Sequence, residues 1–214
     1  MKVKICCIAS VAEAALALEH GATAIGLVSE MPSGPGVIAD ERIREIAAWA
    51  PPHARTFLLT SRTDPREIAA QVRDAGVNTV QIVDALAPGA HTVIRALVPR
   101  VRIVQVVHVR GPESLDEALE VAPRVDELLL DSGDPTAAVK ELGGTGRTHD
   151  WAVSRRIVEQ CGVPVWLAGG LHEGNVREAI REVGPQGLDL CSGVRISGRL
   201  SATRLERFMR AVEG

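Results

Sequence analysis

Residues 141–151, ELGGTGRTHDW, follow an apolar run at 125–130 and lead toward a helix, so they read as a glycine-rich, threonine-bearing loop between a strand and a helix. Gly143, Gly144 and Gly146 let the backbone turn tightly and bring its N–H groups against a ligand. The helix start that follows adds the positive end of a dipole, and together these make a phosphate seat. Two later stretches have the same character: Ala168-Gly169-Gly170-Leu171 and Ser192-Gly193-Val194 each follow a short apolar run. One short glycine motif is weak evidence. Three in succession point to convergence on one anion, held by Gly144, Thr145, Gly146, Gly169, Gly170, Ser192 and Gly193.

Outward from these loops the chain alternates. Apolar, β-branched runs at 3–9, 23–29, 56–60, 78–83, 101–107, 125–130, 164–168 and 188–191 predict strands. Helices are predicted behind them at 11–20, 40–49, 64–76, 88–97, 112–122, 150–160, 175–183 and 201–212. Local signals punctuate the pattern. Gly21 and Gly76 terminate helices, Asp40 is read as an N-cap, Pro51-Pro52 stops the second helix and Asp64-Pro65 opens the third. Eight such units imply a parallel sheet with right-handed crossovers, and about 200 residues is the lower size limit of a (β/α)8 barrel. The alternative is an open doubly wound sheet, but the first strand lacks the G-x-G-x-x-G turn of that fold. The three loops also follow the sixth, seventh and eighth strands, where barrels commonly bind phosphate. The expectation is therefore an α/β chain forming one (β/α)8 TIM barrel domain over residues 1–214. No linker, low-complexity tract or break in composition divides it.

Composition narrows the function. A hydrophobic share of 46% is ample for a substantial core, and a formal charge of −3 argues against nucleic-acid binding, which usually presents a basic face. Aromatic residues make up only 2% with no Tyr, so stacking platforms are scarce as well. No apolar run reaches the roughly 18 residues of a membrane span, and no signal-peptide pattern opens the chain, so a cytoplasmic protein is expected. Cys6, Cys7, Cys161 and Cys191 have no metal-ligand spacing and are expected to remain thiols.

In a barrel, functional groups sit at the C-terminal ends of strands. The polar or reactive residues predicted there are Cys6, Cys7, Ser29, Thr60, Gln81, His108, Asp131, Asp189 and Ser192. Asp131 follows Leu128-Leu129-Leu130, which puts a carboxyl group at the mouth of an apolar interior, where desolvation favours the protonated form and suits a general acid. Cys6 is the candidate base opposite it, its thiolate helped by the phosphate-binding dipoles. The bland alternatives are a small core residue for the cysteine and a helix cap for the aspartate. Because adjacent strand residues face opposite ways, only one of Cys6 and Cys7 is expected to look into the mouth. His108 and His149 are read as exposed loop histidines, and Trp151 and Trp166 as packing residues.

The residues resemble the phosphoribosylanthranilate isomerases of tryptophan biosynthesis over nearly the whole chain. The resemblance runs through Lys4-Ile5-Cys6, Gly21-Ala22-x-Ala24-Ile25-Gly26, Val80-Gln81, Leu128 to Asp131, Gly143-Gly144-Thr145-Gly146 and Asp150-Trp151. It continues through Leu167 to Leu171, Asn175-Val176, Leu188-Asp189 and Ser192-Gly193-Val194. Each motif is short; their order and spacing are specific. The resemblance implies an Amadori rearrangement of a phosphoribosylated aromatic amine with no metal or organic cofactor. Asp131 would protonate the furanose ring oxygen, Cys6 would take the C2′ proton, and the three glycine-bearing loops would hold the ribose phosphate. Gln81, Asp189 and Arg195 join the candidate substrate contacts. The expected partner is thus a small phosphorylated sugar substrate, with neither nucleic acid nor membrane, and the assembly a monomer or homodimer.

Several positions depart from the family pattern. Cys7 stands where the family has Gly, and Ala9 where it has Thr; a side chain at position 7 is expected to crowd or redirect the loop beside Cys6. Ser33-Gly34-Pro35-Gly36 replaces a Ser-Pro-Arg whose Arg pairs with the anthranilate carboxylate. The family's Gln-Leu-His-Gly is Gln81-Ile82-Val83-Asp84 here, and its Glu after Ser-Gly-Val is Arg195, a candidate replacement for the lost Arg. The alternative to the family reaction is a divergent relative that isomerises, or merely binds, another phosphorylated sugar derivative.

Overall fold

The computed structural model describes residues 1–133 and 149–214. Eight parallel strands close into a barrel in sequence order: β1 (Lys2–Ile5), β2 (Ala24–Val28), β3 (Arg55–Thr60), β4 (Thr79–Ile82), β5 (Arg102–His108), β6 (Glu127–Asp131), β7 (Val165–Leu167) and β8 (Gly187–Leu190). Closure comes from β8 pairing with β1, Leu190 opposite Ile5. One helix follows each strand: α1 (Val11–Glu19), α2 (Asp40–Trp49), α3 (Pro65–Ala75), α4 (Ala90–Leu97), α5 (Ser114–Val121), α6 (Trp151–Gln160), α7 (Val176–Val183) and α8 (Ala202–Glu213). None of the described helices is long and apolar enough to cross a membrane.

Local chemistry sets most of these boundaries. Asp64 accepts hydrogen bonds from the N–H groups of Arg66 (2.7 Å) and Glu67 (3.1 Å), Pro65 opens α3, and Gly76 closes it at φ +68°, a left-handed conformation that glycine adopts without strain. Asp150 caps α6 through the Ala152 N–H at 2.9 Å, and Ser10 caps α1 through that of Glu13 at 3.2 Å. The expectation for α2 is corrected: Ala39 occupies the cap position and Asp40 is the first helical residue, where with Glu41 it faces the positive helix end instead of capping it. Helices α4 and α5 also start two residues later than expected.

Strand alternation sorts the apolar residues into two cores. Ile5, Ile25, Leu58, Ile82, Ile103, Leu130 and Leu188 pack with helix residues such as Ala14, Ile43 and Ile157 in the layer between sheet and helices. Phe57, Leu59, Val104, Val106, Leu129 and Trp166 form a second cluster with no helix partner, which is the barrel interior. Burial on both faces is why these strands read as continuous apolar runs.

The N-terminal end of the barrel is closed by a polar layer. Glu127, 1% exposed, accepts two hydrogen bonds from Arg55 (2.9 and 2.8 Å) and one from Trp166 Nε1 (2.6 Å). Trp166 meets Phe57 edge to face at 5.5 Å, and the Arg55 guanidinium lies 4.6 Å from the Phe57 ring centroid. Gly187 gives the indole its room, since a Cβ there would come within 2.4 Å of Trp166 Cε3. Trp166 is therefore a packing residue, as expected.

Candidate active site

At the opposite, C-terminal end of the barrel a cavity brings together Cys6, Gln81, Asp131, Gly169, Gly170, Asp189 and Ser192. Of the sequence-based candidates, Gly144, Thr145 and Gly146 lie outside the described residues. Gly193 is not in the lining; a Cβ there would fall 2.1 Å from the Leu171 carbonyl oxygen, so glycine is what lets the loop after β8 abut the loop after β7.

The floor is an ion pair. Lys4, fully buried, donates to Asp189 Oδ2 at 2.7 Å and to Gln81 Oε1 at 2.8 Å, with its ammonium 5.1 Å from the Phe57 ring centroid. Burial pulls the Lys4 pKa down, but Asp189, with smaller contributions from Cys6 and Cys7, holds the ammonium above its ordinary value. Gln81 and Asp189 thus reach the cavity on a shared lysine. Lys4 alternates along β1 with Val3 and Ile5, which pack against the helices, and that alternation is the signal that it points inward.

Cys6 sits just beyond β1, its N–H still bonded to the Leu190 carbonyl at 2.7 Å. Its sulfur lies over β2, where a Cβ on Gly26 would meet Cys6 Sγ and Lys4 Cε, each at 2.9 Å. Glycine at position 26 therefore makes the space that both side chains use. Asp131 ends β6 opposite His108 of β5, and its Oδ1 accepts the Ser132 N–H at 2.7 Å. Burial pushes the Asp131 carboxyl above the ordinary carboxylate range and the Asp189 charge adds to that, against the lowering effects of the Ser132 N–H, His108 and Lys4. A shift in that direction favours the protonated form that a general acid needs.

His108 is buried rather than exposed, its Nε2 bonded to the Val83 carbonyl at 3.0 Å. His149, half-buried, bonds Ser154 Oγ at 2.7 Å, and burial lowers its pKa to about 4.

In the loop after β7, Gly169 and Gly170 take left-handed conformations (φ +85° and +62°), and Asn175 Nδ2 ties the Gly170 carbonyl back at 3.0 Å. Two successive residues in this region call for glycine, and both line the cavity. Ser192 begins a 3-10 turn beside them.

Two expectations at the rim are corrected. β1 ends at Ile5, so strand alternation no longer applies to the cysteines, and both Cys6 and Cys7 line the cavity. Cys7 has φ +61°, the left-handed conformation that a family glycine would take freely, and its side chain is accommodated because residue 36 is glycine: a Cβ on Gly36 would lie 2.5 Å from that of Cys7. Arg195 is not part of the lining. Its guanidinium bonds Glu13 (3.0 and 3.1 Å) and the carbonyl oxygens of Cys7 (2.6 Å), Cys6 (3.2 Å) and Gly198 (3.0 Å), so it buttresses the loop after β1 from outside the cavity. Glu13 completes the buttress by accepting from the N–H groups of Ala9 (3.1 Å) and Leu200 (3.2 Å). Its position on α1 gave no signal of this in the sequence. The remaining wall is apolar: Val28, Met31, Pro35 and Leu59.

Fold and site together define a closed α/β barrel enzyme with a buried carboxyl group and a thiol facing one cavity beside a glycine-lined corner. The comparisons with known proteins agree. The family model for N-(5′-phosphoribosyl)anthranilate (PRA) isomerase matches residues 3–211. N-(5′-phosphoribosyl)anthranilate isomerase 2 of Methanosarcina mazei is 36% identical over 198 residues, 92% of this chain and 87% of that protein. The solved phosphoribosyl anthranilate isomerase of Thermococcus kodakaraensis superposes with a TM-score of 0.82 at 30% identity, covering 100% of this chain and 99% of that one. A phosphoribosyl anthranilate isomerase solved in complex with reduced 1-(o-carboxyphenylamino)-1-deoxyribulose 5-phosphate superposes at 0.79 with 26% identity, covering 100% and 99%. The chain belongs to the N-(5′-phosphoribosyl)anthranilate isomerase family, aldose–ketose isomerases of tryptophan biosynthesis.

Proposed function

We propose that this chain catalyses the Amadori rearrangement of N-(5′-phosphoribosyl)anthranilate with Asp131 as general acid and Cys6 as general base. The observation that carries the reading is that the Asp131 carboxyl, its pKa raised by burial, and the Cys6 thiol line one cavity at the C-terminal end of the barrel. Ring opening needs a proton at the furanose oxygen, which Asp131 supplies, giving a Schiff base at C1′. Loss of the C2′ proton to Cys6 then gives an enolamine that tautomerises to the ketose. The ribose phosphate is assigned to the corner of Gly169, Gly170 and Ser192, with Gly144, Thr145 and Gly146 completing it from the loop after β6. Gln81 and Asp189, held by Lys4, contact the sugar hydroxyl groups. The working unit is a monomer or homodimer in the cytoplasm.

The test is turnover of phosphoribosylanthranilate by the purified protein, together with rescue of a tryptophan auxotroph that lacks this step. A second reading, isomerisation of a related phosphoribosyl amine, is favoured by the wall of Val28, Met31, Pro35 and Leu59, which among the described residues offers no cation to a carboxylate. A lower KM for an analogue without the carboxylate would select it.

A further inference from the structure

The cavity rim carries a feature that the isomerisation does not use. Cys7 Sγ and Cys191 Sγ are 2.6 Å apart, well inside ordinary non-bonded packing, which is about 3.5–4.0 Å between carbon atoms. The two residues leave neighbouring parallel strands, since β1 pairs with β8 through Ile5 and Leu190 and the Cys6 N–H continues the ladder to the Leu190 carbonyl. Cys6, the third thiol here, packs against Gly26 and also neighbours Cys7. Both line the cavity with Cys191, which is the more exposed of the rim pair, Cys7 being the more buried.

We propose that Cys7 and Cys191 are a redox-modification site, in which a peroxide-class oxidant joins the two thiols in a disulfide across the rim of the cavity. The Cys191 thiolate attacks one peroxide oxygen and the O–O bond breaks. This forms a sulfenic acid and a hydroxide ion, and the hydroxide takes up the proton that Cys191 had released to give water. The Cys7 sulfur then attacks the Cys191 sulfur and displaces the sulfenic oxygen, which leaves as a second water with the Cys7 proton. The two thiols lose two electrons in all and the peroxide gains them.

Exposure and the neighbouring cation assign the two roles. Cys191 is the more exposed of the two, and the hydrogen bond with Cys7 and the Arg195 guanidinium lower its pKa against the opposing effect of burial. Cys7 is buried, and its sulfur gives up its proton as it attacks. A low-pKa, accessible thiol beside a resolving cysteine is the arrangement that sensor thiols share. The disulfide would tie the loop after β1 to the loop after β8, beside Cys6 and Ser192, so oxidised protein should lose turnover and recover it under dithiothreitol.

The test is peptide mapping of wild-type protein after treatment with equimolar hydrogen peroxide and alkylation under non-reducing conditions. Tandem mass spectrometry distinguishes Cys6 from Cys7. The expected result is a Cys7–Cys191 cross-linked peptide, a loss of two from the four titratable thiols, and full recovery with dithiothreitol. Cys191→Ser should form no cross-link and leave Cys7 alkylatable. A bridge from Cys6 to either neighbour, or sulfinic acid at Cys6 with Cys7 and Cys191 still reduced, would overturn the assignment.

Discussion

Replacing Lys4 with Met should destabilise the barrel far more than loss of an exposed charge. Lys4 is fully buried, and its ammonium is the charge partner of Asp189 at 2.7 Å. Among the described residues Asp189 Oδ1 has no hydrogen-bond partner, so Lys4→Met leaves a carboxylate 8% exposed with its counter-ion gone. Breaking a buried pair by removing one member costs about 3–5 kcal/mol, mostly because the remaining charge stays desolvated. Removing both charges should cost little: Lys4→Met with Asp189→Leu is expected within about 1 kcal/mol of wild type, since replacing a buried pair by apolar groups of similar volume is often neutral or stabilising. The pH dependence has a definite sign. The folded Lys4 pKa is raised above its ordinary value of 10.5, so the pair's contribution is fully present below pH 10.5 and is lost only as pH rises through the higher folded value. The gap between wild type and Lys4→Met should therefore be constant across the neutral range. Urea unfolding of the four proteins in the cycle, with m-values compared, is the assay. A cost below about 1 kcal/mol for Lys4→Met, or a double variant whose losses simply add, would refute the reasoning.

Three other outcomes follow from the same geometry. Because burial raises the folded Asp131 pKa, its contribution to stability is present below pH 3.8 and lost as pH rises through the raised value; Asp131→Asn, which mimics the protonated acid, should therefore flatten the fall in unfolding free energy between mildly acid and neutral pH, and an unchanged slope would contradict a buried acid. Gly187→Ala should cost about 1–3 kcal/mol in chemical unfolding, since its methyl group would fall 2.4 Å from the Trp166 ring, and a neutral result would mean that the indole moves freely. A crystal grown in sulfate should show the ion between Gly169-Gly170 and Ser192, and an empty corner would remove the basis for placing the substrate phosphate there.

The architecture was legible because a barrel strand is buried on both faces and each helix start or stop carries its own chemistry, as Asp64-Pro65 and Gly76 do for α3. Asp40 failed as a cap because its neighbour Ala39 took the extended cap conformation, and ends of helices are where one residue of slippage changes a role. Cys6, Asp131 and the Gly169-Gly170 pair were legible because each follows an apolar run. The Lys4–Gln81–Asp189 floor and the Glu13–Arg195 buttress were not, since each joins residues far apart in sequence and depends on closure of β8 onto β1. Cys7 misled for a related reason: alternation holds only inside a strand, and β1 stops at Ile5.

The central claim, that Cys6 and Asp131 act as base and acid on one substrate, is tested most directly by the kcat for phosphoribosylanthranilate of wild type, Cys6→Ala and Asp131→Asn, beside the affinity of each for a reduced product analogue. A positioned acid or base contributes about 10²–10⁴-fold, so each variant should lose at least about 10² in kcat with affinity nearly unchanged. Turnover that survives in both variants, or that vanishes in Cys7→Ala while Cys6→Ala stays active, would contradict the assignment.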